Sequence, residues 1–353
     1  MPSEIRCAHY RDGMRRIEGI DLARGLAVLG MVTAHVGPDT PLLEIADGRS
    51  AALFVVLSGV SIGLMSGGAR PVEGVRRVQA RVKVLSRAFV LLAVGVALAT
   101  LNVPVVVILP TYALLFAVAA CLLRTSVRTL LVGAGLVVLV APPLRVLLEG
   151  RITATWNGGG IVDLVLGEYY PALVWIGYLL VGLAVTRADL GAARTWTRLL
   201  AGGGIATVLG YGSAAVLTRV LDAGPTAARL ITSEPHSSST PEVLGNIGVA
   251  LLTLVACLWI AERWPRAVTP LAATGALALT AYIGHILVIK AVGSQVVWQP
   301  TTAGWLAFLI VIVGGCWAWR SSVGRGPAEW ALHRIAARAA DTGVTERSAA
   351  DPT

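Results

Sequence analysis

Apolar stretches long enough to cross a bilayer recur from residue 17 to residue 319, and no segment between them is long enough to build a large soluble domain. A helix needs about 17–25 predominantly apolar residues to cross a hydrocarbon core of about 30 Å. Inside that core every backbone polar group must be satisfied within the protein, which favours helices. The recurrence predicts an all-α, polytopic integral membrane bundle of about ten transmembrane helices, at 18–36, 50–67, 85–101, 104–123, 127–148, 169–186, 197–219, 242–262, 268–291 and 302–319. A mean hydropathy of +0.74 with only 14% charged residues agrees, since such a chain has too little polar surface to keep one core in water. The first run starts after Arg15 and Arg16 without a small-residue cleavage site, so it is expected to stay as a span.

The formal charge of +9 does not point to nucleic acid, because the basic residues fall in short segments between apolar runs rather than on a soluble module. They act as topological signals. With ten crossings, 22 of the 29 Lys and Arg residues fall on one face and six on the other, with Arg24 embedded. Basic segments stay inside, so both termini are expected in the cytoplasm and the protein in the cell membrane. Cys7, Cys121, Cys257 and Cys316 have no metal-ligand spacing, and neither a disulfide framework nor a metal site is expected.

Ionisable residues inside such spans are costly and usually face the bundle interior or a wet path. In RIEGIDLARGLAVLGMVTAH, Asp21 and Arg24 sit near one end and His35 lies eleven residues after Arg24. At about 100° and 1.5 Å per residue, Arg24 and His35 share a face to within roughly 20° and stand about 16 Å apart. A local Asp21–Arg24 ion pair with a wet His35 is the plainer account of the same residues. In LTAYIGHILVIK, Tyr282 and His285 are three apart on one face, where His285 is either part of a polar centre or a satisfied structural group. Ser58, Gly59, Ser61 and Gly63 in LFVVLSGVSIG read as close helix packing. The loop RPVEGVRRVQARVKVLSRA clusters basic residues, among which Arg77 and Arg81 share a helical face suited to phosphates; anionic lipid or topology explains them equally. On the outer side, SEPHSSSTPEVLGN places His236, Glu242 and Asn246 at the mouth of a span, where helix capping also fits. Asp39, Glu44, Asp47, Asp163 and Glu168 read as solvated, and the tail after Arg320 as a basic amphipathic helix resting on the inner leaflet.

The start of the first span followed by ALFVVLSGVSIGL resembles the N-terminal signature of heparan-alpha-glucosaminide N-acetyltransferase-like membrane proteins. GEYYPALVWIGYLLVGLAVTRADL, PHSSSTPEVLGNIGVALL and LTAYIGHI are similar to bacterial members with a C-terminal domain of unknown function. The resemblance covers most of residues 16–335 and divides the chain into an N-terminal segment (1–16), an acyltransferase-like region (17–190), a C-terminal membrane region (191–320) and a basic, partly disordered tail (321–353). It implies that acetyl-CoA is held from the cytoplasmic side and that its acetyl group passes to an acceptor at the outer side, with a histidine serving the transfer. In related acyltransferases whose first helix ends in His, the position matches His35. The lysosomal enzymes carry theirs in the following loop, before Trp-Asn-Gly; here that loop reads PLLEIADGRS and has no His.

These readings converge on an acyl-CoA-dependent O- or N-acyltransferase acting on a cell-envelope glycan or lipid-linked sugar. His35 is the expected base, with His285 and Tyr282 as its partners. Arg24, Arg77 and Arg81 are assigned to the donor, and His236, Glu242 and Asn246 to the acceptor side. The bilayer is the surrounding partner, nucleic acid is not one, and an oligomer stays open. The rival reading is a proton-coupled transporter or flippase in which Asp21, Arg24, His35 and His285 line a path; a scaffold is a third.

Overall fold

The structure is a computed structural model and describes residues 18–152 and 160–341; the N-terminal segment with Cys7 and the end of the tail lie outside them. In chain order the helices are α1 (Glu18–Val36), α2 (Arg49–Met65), α3 (Gly74–Ala99), α4 (Leu109–Cys121), α5 (Val127–Ile152), the short α6 (Gly160–Leu166), α7 (Ala172–Val185), α8 (Ala193–Val220), the short α9 (Pro225–Ile231), α10 (Thr240–Arg263), α11 (Pro265–Ala276), α12 (Ala278–Val292), the single-turn α13 (Gln295–Trp298), α14 (Thr302–Ser322) and α15 (Pro327–Ala340). No strand occurs among the described residues.

Among the described residues seven helices are long and apolar enough to cross a membrane, or eight spans if α11 and α12, which meet at a 70° bend, count as one. The spans expected at 104–123 and 169–186 are realised as α4 and α7, of 13 and 14 residues. Each is about 20 Å long, short of the roughly 30 Å of a hydrocarbon core. Prolines set both starts. Pro110 stands in the first turn of α4, where its missing N–H costs nothing, and the Pro104-containing segment before it is not helical; Pro171 is the N-cap of α7. The span expected at 268–291 breaks at Leu277.

Burial divides the bundle. The middle consists of α1, α2, α7 and α10, whose residues are mostly buried, while α3, α5, α8 and α14 carry the exposed Leu, Val, Ile and Trp side chains suited to lipid. Apolar transfer cannot drive association between helices already in lipid, so close packing must contribute, and small residues permit it. A Cβ on Gly275 would overlap the Asp21 carbonyl, which lets α11 lie against α1; Gly59 and Gly182 do the same for α2 and α7. The expectation of close packing at Gly59 and Gly63 matches these contacts, since Gly63 abuts Thr186.

Pro142 and Pro143 do not end α5. Proline at 142 leaves the Val138 carbonyl without its helical donor, and the Thr240 hydroxyl fills the vacancy at 2.8 Å. The basic stretch read as a loop is instead, from Gly74 on, the first turns of α3. Cys121, Cys257 and Cys316 are free thiols.

Candidate active site

His35, one residue from the end of α1, and His285, in the second turn of α12, meet across the bundle. His35 Nδ1 stands 3.1 Å from His285 Nε2, with the rings stacked at 5.3 Å between centroids. His285 is 1% exposed, and its Nδ1 has no hydrogen-bond partner. The contact leaves Nε2 as the ring nitrogen of His35 not engaged by His285. Tyr282 packs edge-on against His285 at 5.1 Å, and its hydroxyl accepts the Ile108 N–H at 3.3 Å. That bond ties the irregular segment before α4 to α12; non-helical backbone at membrane depth is tolerated where protein surrounds it or a cavity borders it.

Two cavities lie near this pair, and Met31 borders both. One, of about 260 Å³, is lined by His35, Asp47, Gly48, Pro104, Tyr169, Tyr170 and His236. Four segments between helices contribute to it, at 46–48, 104–106, 169–170 and 236. The other, of about 240 Å³, is lined by Arg24, Ser58, Ser61, Arg87, Tyr112, Tyr282 and Glu329. Arg24 is held by Asp21 at 2.7 Å and also reaches the Ser61 hydroxyl. Ser61 is thus a polar contact as well as a small packing residue.

The sequence-predicted residues are not all at these cavities. Arg81 donates to the Ala120 carbonyl at 3.1 Å and is exposed, and neither it nor Arg77 lines either cavity. Arg87, on the same helix, does. Asp47, expected to be solvated, borders the His35 cavity.

Glu242 and Asn246 turn inward. Glu242, 4% exposed, accepts from His236 N (2.9 Å), Ser237 Oγ (3.0 Å), Ser238 N (2.6 Å) and Asn246 Nδ2 (3.2 Å). Ser239 caps α10 by accepting the Glu242 N–H, so Glu242 lies at the capping-box position but bonds backbone farther back. Asn246 continues the network to Tyr178 and Tyr211, and Tyr211 accepts from Arg49 Nε at 2.9 Å. The loop thus secured holds His236 and Ser238 at φ 62° and 52°, a conformation that side chains rarely adopt. His236 packs against Tyr169 and Tyr170, and burial pushes its imidazole below the ordinary value despite the opposing Tyr169 backbone bond.

Sequence reasoning missed Arg145, which was counted only as an outer charge. It is 3% exposed and donates to the carbonyls of Leu166, Ser237 and Glu168, joining two of the cavity's loops. Its place next to Pro142–Pro143 inside a span was the available signal. Among the described residues no group of three His, Cys, Asp or Glu side chains is arranged to hold a metal.

Residues 16–213 match the family of heparan-alpha-glucosaminide N-acetyltransferase, catalytic. The chain belongs to this family. Residues 185–339 match a second family, described as protein of unknown function (DUF418). No curated protein matches the chain. An acetyltransferase-like membrane protein is therefore the coarse assignment. His35 and Arg24 come from the catalytic-family region, while Tyr282, His285 and Glu329 come from the second.

Proposed function

We propose that the protein is a membrane-embedded acyltransferase that takes an acetyl or short acyl group from acyl-CoA at a cytoplasmic face and delivers it to a hydroxyl or amine at the outer face. The observation that carries this reading is the His35–His285 contact at 3.1 Å, beside a cavity that contains two arginines and another built from outer loops. Family membership supports the chemistry. The excess of basic residues at the arginine-bearing end supports placing that end, and both termini, in the cytoplasm of a cell whose cytoplasmic membrane holds the protein. Ten crossings require α4 and α7 to count as spans, completed by the irregular segments before them.

The cavity bounded by Arg24 and Arg87 suits a linear thioester-bearing arm, with the nucleotide phosphates left at the rim near Arg77 and Arg81 on α3. With Nδ1–H of His35 donated to His285 Nε2, Nε2 of His35 carries the lone pair. It removes the proton from the acceptor O–H or N–H as that atom bonds to the acyl carbonyl carbon. Collapse breaks the C–S bond, and the leaving thiolate takes the proton back from His35. Tyr282 and His285 hold the base and its tautomer, and His236, Glu242 and Asn246 form the acceptor side, Glu242 and Asn246 by holding the loop. A cell-envelope glycan or lipid-linked sugar is the proposed acceptor.

The test is release of CoA thiol from acetyl-CoA by protein in nanodiscs, with His35→Gln in parallel. Loss of a general base lowers turnover by about 10²–10⁴-fold. A folded His35→Gln protein that retains half of the wild-type rate sinks the assignment. The 70° break in α11–α12 favours a second reading, a proton-coupled transporter, because broken helices mark transport sites. Acetyl-CoA raises the melting temperature of a transferase and leaves that transporter unchanged.

A further inference from the structure

The break at Leu277 leaves the first N–H groups of α12 without helical partners, at a place where the preceding helix turns away by 70°. The partner comes from the other end of the chain. Glu329, in the first turn of α15, accepts the N–H of Leu279 at 2.7 Å and of Thr280 at 3.0 Å with one carboxylate oxygen, and the Thr280 hydroxyl with the other. The Thr280 hydroxyl in turn accepts the Ala328 N–H at 3.2 Å, so each helix start bonds the other. Gly326 is buried under this clasp, and a Cβ there would overlap the Glu329 carboxylate. The tail helix therefore docks into the bundle instead of only resting on a leaflet.

We infer that Glu329 is a positioning residue for the transfer: by clasping the start of α12 it fixes the rotation at which Tyr282 and His285 meet His35. Tyr282 and His285 lie two and five residues beyond Thr280, within about two turns of the clasped amides. A slip of one residue turns a helix by about 100°, enough to point His285 away from α1. Glu329 also borders the Arg24 cavity, as does Tyr282, so the clasp and the tyrosine that packs on His285 line the same proposed donor cavity. The inference rests on the transferase reading for its catalytic consequence, whereas its geometric consequence stands without it.

Both consequences are measured on the full-length protein in nanodiscs. In a variant with the four native cysteines replaced by alanine and His35→Cys/His285→Cys introduced, oxidative cross-linking reports the geometry without any activity. Adding Glu329→Ala is expected to slow cross-linking about tenfold, and Glu329→Gln, whose amide oxygen still accepts both N–H groups, to restore most of it. With the histidines present, Glu329→Ala lowers kcat for CoA release about tenfold with KM for acetyl-CoA changed less than threefold, again with rescue by Gln. Thr280→Val, which keeps the backbone bonds, gives a smaller loss of the same kind and decides the matter if Glu329→Ala does not fold. Unchanged cross-linking, or unchanged kcat in Glu329→Ala, overturns the inference. Slowed cross-linking in a protein whose parent releases no CoA supports the clasp and overturns the transferase reading instead.

Discussion

Glu242→Gln is the substitution whose cost the structure defines best. Four donors converge on the Glu242 carboxylate: two backbone N–H groups, the Ser237 hydroxyl and the Asn246 amide. Such a shell occupies both carboxylate oxygens. In glutamine, one oxygen still accepts from His236 N and Asn246 Nδ2, but an NH₂ group replaces the oxygen that faces Ser238 N at 2.6 Å and Ser237 Oγ at 3.0 Å. The Ser237 hydroxyl reverses to accept; the buried Ser238 N–H cannot. One stranded buried N–H costs about 1–3 kcal/mol. The expected destabilisation is about 1–3 kcal/mol, read from reversible unfolding in mixed micelles, with Glu242→Ala costlier because it removes both acceptor oxygens. A change within 0.5 kcal/mol, together with a raised KM for the acceptor, would refute this account and make Glu242 a binding residue rather than the anchor of the His236 loop.

His285→Phe keeps much of the ring packing but removes the Nδ1 partner of His35, and is expected to lower kcat for CoA release about 10–100-fold with little change in KM. Arg87→Gln removes a cavity charge and is expected to raise KM for acetyl-CoA about tenfold at near-constant kcat, measured by steady-state kinetics. Burial lowers the folded-state pKa of His236 below 6.5, so the unfolded chain binds more protons on acidification. Its contribution to stability is full above about pH 6.5 and shrinks as pH falls from there toward the folded-state value; His236→Gln should flatten that part of a melting-temperature series from pH 8 to 5.

Apolar periodicity located the helices well, because a span's length and composition are local properties. It overestimated α4 and α7, since an apolar run does not reveal whether it faces lipid, where it must be about 30 Å long, or sits inside the bundle, where it can be shorter. Pro104, Pro110 and Pro171 carried that information. The break at Leu277 was less legible because the carboxylate that stabilises it belongs to a residue 50 positions away from Leu279. His35 and His285 each stood out as costly residues, but their contact spans 250 positions and follows from packing that no spacing rule encodes. Glu242 and Asn246 stood out at the mouth of a span; whether they met solvent or core depended on Tyr178, Tyr211 and the His236 loop. Arg77 and Arg81 stood out because they are clustered, whereas Arg87 borders the cavity because it lies farther along α3, where the helix enters the bundle.

The division between the two matched families cuts through the site. The catalytic-family match ends at residue 213, and a chain stopped there would contain His35 and its neighbours but no His285, Tyr282 or Glu329. It would also lack α10 and α11, the helices that pack along α1 and bury Asp21 and the Arg24 side of that helix. An Asp–Arg pair left facing lipid carries a cost that packing against protein removes. The same C-terminal helices that complete the histidine pair therefore make α1 tolerable in the membrane, so the second region is part of the folding unit that holds the site.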